Sequence, residues 1–487
     1  MNNSNERSLH LPSCGPPRTA LSRTGPKGDS TAPAADPGSV KNKLKLLLAT
    51  GLYVAALLWA YEAIVSVEFA YEGFGLRWPG AIQTVWIITL AVLPAWFLPY
   101  SLSRPSAVIT WWLYLSVYIS AIIVPALSLS TPEKLLPLQV SLLLCMGLLC
   151  WVGSRPRLLA VTRVAVSPSL FWSAFWLTWG VSIGFVLLSA PVSALVGNIA
   201  GLFAGADEYA IRGKYTEVLL ESGPALAYVV GQLCHALNPF LIALGLVYRR
   251  WACLIVGILG QILVFSLTGL KAALLSIVFL GALALLGARG RRSFGLVVTT
   301  GLLAAVFITT LGDRVNNSIF FTHLLTRRTL MAPGLLTGFY FEHYSQVSPV
   351  GLGVHFSRDE SVLTPPNEIG FTYFNSVGTA ANANLWAEGF AEAGFFGMFL
   401  FTIFAAFMIW IYDSIAAGRD PALAVLLAAM PAVTLSNTSP TTVMITHGGL
   451  CAALLLFLAW APKPTEAEEV QLKPMPSHST LTVGTAV

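Results

Sequence analysis

Apolar residues run through this chain in long blocks rather than in alternation. From Leu44 almost to the C-terminus, stretches of roughly 18–24 residues with few charges recur, each long enough to cross a hydrocarbon core of about 30 Å as a helix. Twelve such segments are predicted, near residues 44–66, 80–100, 107–129, 135–153, 169–190, 224–247, 252–267, 272–287, 294–312, 389–412, 421–435 and 441–460. The seventh and eighth are short and joined by Thr268-Gly269-Leu270-Lys271, so they read either as two spans or as a broken, re-entrant pair. The expected fold class is all-α: a polytopic membrane helix bundle of about 12 transmembrane helices with a large outward-facing loop domain.

Composition agrees with lipid as the solvent. The chain has 487 residues, 55% hydrophobic against 10% charged, which excludes an ordinary soluble globule of this length. Residues 1–43 and 462–487, rich in Ser, Pro, Gly and Thr or charged, read as disordered cytoplasmic tails flanking a polytopic domain over 44–461. No cleavable signal segment is expected ahead of the first span. Six cysteines form no Cys-x-x-Cys pair, so neither a disulfide framework nor a metal site is expected.

Charge then orients the bundle. With both termini cytoplasmic, nineteen of the 28 Lys and Arg residues fall on the cytoplasmic side, Arg104, Arg155, Arg249, Arg250 and Arg419 among them. Nine face out, including Lys134, Arg212, Lys214, Lys271, Arg314, Arg327, Arg328 and Arg358. The net charge of +5 reflects this bias and argues for no nucleic-acid partner.

Two outward segments exceed what a connector needs, at about 191–223 and 313–388. In the second, Ile319, Phe320, Leu324, Leu325 and Leu330 share 317–331 with two arginines, which predicts a helix along the outer membrane surface, ended by Pro333-Gly334. A second helix over 335–346 places Phe339, His343 and Gln346 on one face, and 349–381 reads as an ordered irregular cap. Asn382 or Asn384 then caps a helix that continues through the tenth span. Glu388 and Glu392 in its early turns suit the helix dipole, or else face a cavity and pair with Arg212, Arg327 or Arg328. Gly389, Ala393 and Gly397 form a small-residue stripe for close helix approach.

Three sets of residues carry candidate chemistry. Arg212, in "DEYAIRGKY", with Arg327 and Arg328, suits bidentate phosphate binding. His343, between Phe341 and Tyr344, reads as a structural histidine or as a general base. Lys271 beside the broken spans either binds an anion or snorkels, while His235 and His447 read as packing residues.

"DEYAIRGKY", "LTGLKAALLS", "RRTLMAPGLLTGFYFEHYSQV" and "NANLWAEGFAEAGFFGM" together resemble, in order and over about 40–460, segments of the Wzy-type oligosaccharide repeat-unit polymerases, the O-antigen polymerases. The resemblance implies a metal-independent glycosyltransferase of GT-C type without a cofactor. It would join undecaprenyl-diphosphate-linked oligosaccharide units at the outer face of the bacterial plasma membrane, among membrane lipids and with a chain-length regulator as a further partner. On that reading Arg212, Arg327 and Arg328 bind diphosphate and His343 or Glu388 is the base. Tyr340, Tyr344, Tyr373 and Trp386 stack on sugars, with Asn382 and Asn384 also binding substrate. The chain departs from the family in lacking a clean Arg-x15-Gly repeat in its two loops. O-antigen ligase is the nearest alternative, and a flippase the alternative outside enzymes, disfavoured by the lack of an internal repeat. A metal-dependent polyprenyl-phosphate transferase fits poorly, because Glu68 and Glu72 stand apart in the first outward loop.

Overall fold

The computed structural model describes residues 39–129, 132–155, 166–189, 195, 198, 208–290, 293–353, 363–376 and 379–459. Among them there is no strand. Every apolar segment of the sequence is helical. Eight helices are long and apolar enough to cross a membrane: α1 (Val40–Glu68), α3 (Pro105–Ser128), α4 (Leu136–Ser154), α5 (Pro168–Ser189), α7 (Pro224–Tyr248), α8 (Trp251–Thr268), α10 (Phe294–Val315) and α13 (Leu385–Ile415). Four shorter apolar helices join them: α2 (Ala81–Trp96), α9 (Lys271–Gly290), α14 (Pro421–Leu435) and α16 (Gly449–Leu458). Gly269 ends α8 in the left-handed conformation, so α8 and α9 are separate helices. Thr446–Gly448 break the last apolar run between α15 (Pro440–Ile445) and α16.

Charge is sorted between the ends of the bundle. At one end Arg104 donates to the Arg155 carbonyl, Ser106 N–H donates to Asp413, Arg419 donates to the carbonyls of Phe457 and Ala459, and Arg250 and Asp420 lie near Tyr248. The far end of α8 carries Lys271, near His323.

Outside these helices, α6 (Glu208–Ser222) packs on α7 and α8. The second outward segment folds differently from its prediction. Instead of a surface helix stopped at Pro333-Gly334, a π-wound stretch, Thr322–Met331, runs unbroken into Ala332–Tyr344, and we label 322–344 α11. Pro333 falls where the π winding passes into the α winding. Gly334 lies directly against the backbone of Ser120, so a Cβ there would have no room, and α11 packs along α3 rather than over it. The π turns at Leu113–Tyr118 of α3 and at Tyr61–Val65 of α1 face the same region.

The tenth apolar segment is likewise not one straight helix. Asn384 caps it, accepting from Trp386 N–H at 3.0 Å and Ala387 N–H at 3.3 Å. At Ala393 (φ −151°, ψ 30°) and Gly394 (φ 62°, ψ −146°) the chain turns, and Gly394 adopts a conformation that only glycine takes at little cost. Two arms result, 385–392 and 395–415. The Trp386 indole donates to Thr402 Oγ1 at 3.1 Å, although sixteen residues of continuous helix would hold them about 24 Å apart. The stripe of Gly389 and Gly397 therefore lets the arms of one hairpin touch backbone to backbone.

Candidate functional site

Two groups of polar side chains lie at opposite ends of α11. The C-terminal group is built on its last two turns, on α12 (Pro365–Phe374) and on the short arm of α13. Pro365-Pro366 start α12, and its first turn presents Glu368. One Glu368 oxygen lies 2.9 Å from His343 Nε2; the other accepts from the Tyr344 hydroxyl at 2.8 Å. A carboxylate only accepts, so Nε2 carries the proton and Nδ1 is left as the basic nitrogen. The pair is reachable from outside, with side-chain exposures of 14% for His343 and 28% for Glu368. Beside it the Tyr373 ring stacks on Phe339 at 4.1 Å, and its hydroxyl donates to Glu342 at 3.0 Å.

Burial, followed by Glu388, pushes the Tyr340 phenol well above its usual range; burial, followed by Glu368, does the same to Tyr344. Both remain hydrogen-bond donors at neutral pH. Tyr340 is wholly buried and donates to the Ala381 carbonyl at 3.0 Å, with Glu388 Oε1 at 3.5 Å. Glu388 and Glu392 are buried too, at 1% and 3% exposure. Glu392 accepts from Gly353 N–H at 2.8 Å, while the Ala391 and Glu392 carbonyls accept from Val350 and Gly351 N–H at 3.0 Å. The 350–353 stretch thus closes the C-terminal end of the short arm.

The N-terminal group surrounds the π turns. Arg327 pairs with Glu72, lies over the Phe69 ring at 4.5 Å, and donates through Nε to His323 Nδ1 at 3.2 Å. Burial first, then the charges of Arg327, Arg328 and Lys271, hold the His323 pKa below its usual value, against an opposing pull from Glu72. Arg328 is half-buried and has no ion pair or hydrogen-bond partner among the described residues.

Of the residues singled out from sequence, the structure brings His343, Tyr344, Tyr340 and Glu388 together and keeps Arg327 and Arg328 apart from them. Sixteen residues separate Arg327 from His343 on α11, roughly 24 Å of α-helical rise and less where the turns are π-wound. Arg327 pairs with Glu72 rather than with Glu388 or Glu392, which meet Tyr340 and Gly353; the alternative pairing with Arg212 lies outside the described residues. Trp386 is fully buried against Tyr118 and Thr402, and Asn384 spends its amide on Thr337 at 2.7 Å and the Pro333 carbonyl at 3.3 Å; both are core residues rather than open faces. Asn382 is exposed. Arg212 falls on α6, with its side chain outside the described residues, as are Arg358 and Asp207.

Sequence reasoning missed Glu368 and His323, and weighed Glu72 only as a metal ligand. Glu368 follows a Pro-Pro pair in a first turn, where an acidic residue is the ordinary answer to the helix dipole, so nothing local marked it. Among the described residues no group of three His, Cys, Asp or Glu side chains is gathered around one point as a metal centre. Two open concavities, of about 230 and 350 Å³, lie at the other end of the bundle, beside Lys43 and Tyr100 and beside Arg249 and Trp251. No protein-family model matches the chain, and neither a curated protein nor a solved structure matches it.

Proposed function

We propose that this chain is a membrane-embedded glycosyltransferase that polymerises undecaprenyl-diphosphate-linked repeat units at the outer face of the bacterial plasma membrane. Twelve apolar helices cross the bilayer, both termini are cytoplasmic, and 313–388 forms the outward cap. The observation that carries the reading is the His343–Glu368 pair, a carboxylate-oriented imidazole with an accessible edge beside an aromatic face. His343 Nδ1 takes the proton of the acceptor hydroxyl as that oxygen attacks the anomeric carbon, and the lipid diphosphate departs with the bonding electrons. Tyr373, stacked on Phe339, offers its ring to a sugar.

A base and the clamp on the leaving group must flank one breaking bond. The separation along α11 therefore gives Arg328 and Lys271 the diphosphate of the acceptor unit, which lies an oligosaccharide's length from its own acceptor hydroxyl. Arg212 is assigned to the donor diphosphate by the resemblance alone.

The test is complementation of a deletion strain with His343→Gln and Glu368→Gln, sizing surface glycan and lipid-linked intermediates. Transfer about 10²–10⁴-fold slower, with single repeat units built and delivered outward, is expected. Long chains held on undecaprenyl diphosphate would make the protein a ligase instead. A second reading, a flippase of lipid-linked sugars, is favoured by the helix breaks at Thr268–Lys271, Ala393–Gly394 and Thr446–Gly448, since transporters place discontinuous helices at their substrate sites. Repeat units stranded on the cytoplasmic side would select it.

A further inference from the structure

Buried threonines in this bundle share one habit. Thr50, Thr110, Thr268, Thr337, Thr402 and Thr434 each turn the hydroxyl back to the carbonyl one turn earlier, at 2.7–3.0 Å, which satisfies the donor inside an apolar bundle. Thr310, Thr322 and Thr326 do not. All three are fully buried and their hydroxyls have no hydrogen-bond partner.

They lie on the two helices that meet at Asp313, itself 1% exposed. One Asp313 oxygen accepts the N–H of Thr322 at 2.6 Å; the other has no partner. Thr310 stands one turn before Asp313 on α10, Thr326 about one turn after Thr322 on α11, and the two helices pack together there. One carboxylate oxygen and three hydroxyl oxygens thus lie buried with their bonds unmade on the two segments joined by the Asp313–Thr322 hydrogen bond, one of them a π-wound stretch of the kind that recurs at functional sites. No Lys or Arg pairs with Asp313 among the described residues, and Arg327, next to Thr326, is spent on Glu72. A carboxylate buried without a countercharge is costly.

We propose that Asp313 and the hydroxyls of Thr310, Thr322 and Thr326 bind a monovalent alkali cation, Na⁺ or K⁺, which fastens the start of α11 to α10. An all-oxygen donor set suits a hard cation, and a single carboxylate balances one positive charge. A divalent ion would be left with a net charge in a low dielectric. The site is separate from the transfer chemistry proposed above and stands whether or not that reading holds.

The purified full chain, unfolded thermally in NaCl, KCl and choline chloride at equal ionic strength, decides it. A Tm raised by Na⁺, K⁺ or both over choline, saturating with concentration, is expected, and the salt that acts identifies the ion. Asp313→Asn and Thr322→Val should weaken the apparent cation affinity at least tenfold. Thr299→Val, which removes another unpartnered buried hydroxyl three turns away on α10, should leave it unchanged. Should Asp313→Asn not fold, Thr322→Val and Thr326→Val, close to isosteric, carry the test. Equal Tm in all three salts, as ordered water at the site would give, overturns the proposal, and so does a salt increment that survives the Asp313 and Thr322 changes.

Discussion

His323 shows how a single side chain reports its surroundings. Burial and three nearby cations depress its pKa in the folded state, so the folded protein binds a proton there less readily than the unfolded chain does. The sign follows. The contribution is complete above the unfolded value of about 6.5 and is lost as pH falls below it, because protons are then taken up by the unfolded state first. Thermal stability should therefore decline as pH falls below about 6.5, and His323→Gln should flatten that decline; a mutant whose pH profile overlays the parent would sink the assignment. None of this was readable at the residue itself. His323 belongs to a stretch whose apolar period points to a surface helix, and its partners Glu72 and Lys271 are about 250 and 50 positions away. Sequence spacing exposes neighbours on one helix, as with Phe339 and His343, but not those that arrive from another.

At the scale of elements, hydropathy located the helices well and their breaks poorly. Length and apolarity set where a helix can lie in lipid, so each expected segment returned as helical, eight of them long enough to cross a membrane and the last as two short helices. A break within an apolar run alters no hydropathy. Leu385–Ile415 reads as one span because Ala393 and Gly394 are as apolar as their flanks, and the turn is written only in the backbone angles of one glycine. Conversely, Pro333-Gly334 carries the usual mark of a helix end and instead sits inside α11, with Gly334 pressed against Ser120. The small-residue stripe foretold close approach, though not that its partner was the same helix folded back. Gly397→Val should accordingly cost about 3 kcal/mol or more, the upper end of overpacking, because the new methyls meet the Gly389 carbonyl and not a side chain that can swing away. Gly301→Ala on α10, where an added Cβ meets nothing, should leave the unfolding temperature unchanged or raise it. Equal losses for the two would mean that the arms of the hairpin do not touch.

For the whole molecule, the positive-inside pattern becomes a geometric statement. Arg104, Arg155, Arg250 and Arg419 gather at one end of the bundle, through contacts between helices distant in sequence, while Lys271 and His323 share the other. Ser154, at the end of α4 beside Arg155, and Ser345, just past α11 beside the His343 pair, are both exposed and accept cysteine with little change in volume. Cys145, Cys150, Cys234 and Cys253 are buried and give a quiet background once Cys14 and Cys451 are replaced by serine. In intact cells a membrane-impermeant maleimide should label Ser345→Cys at once and Ser154→Cys only after permeabilisation. Labelling of both from outside would put an odd number of crossings wrong between residues 154 and 345, and with it the placement of the cap. Labelling of Ser154→Cys alone would invert the bundle and bring His343 to the cytoplasm, where an undecaprenyl-linked polymerase has no use for it.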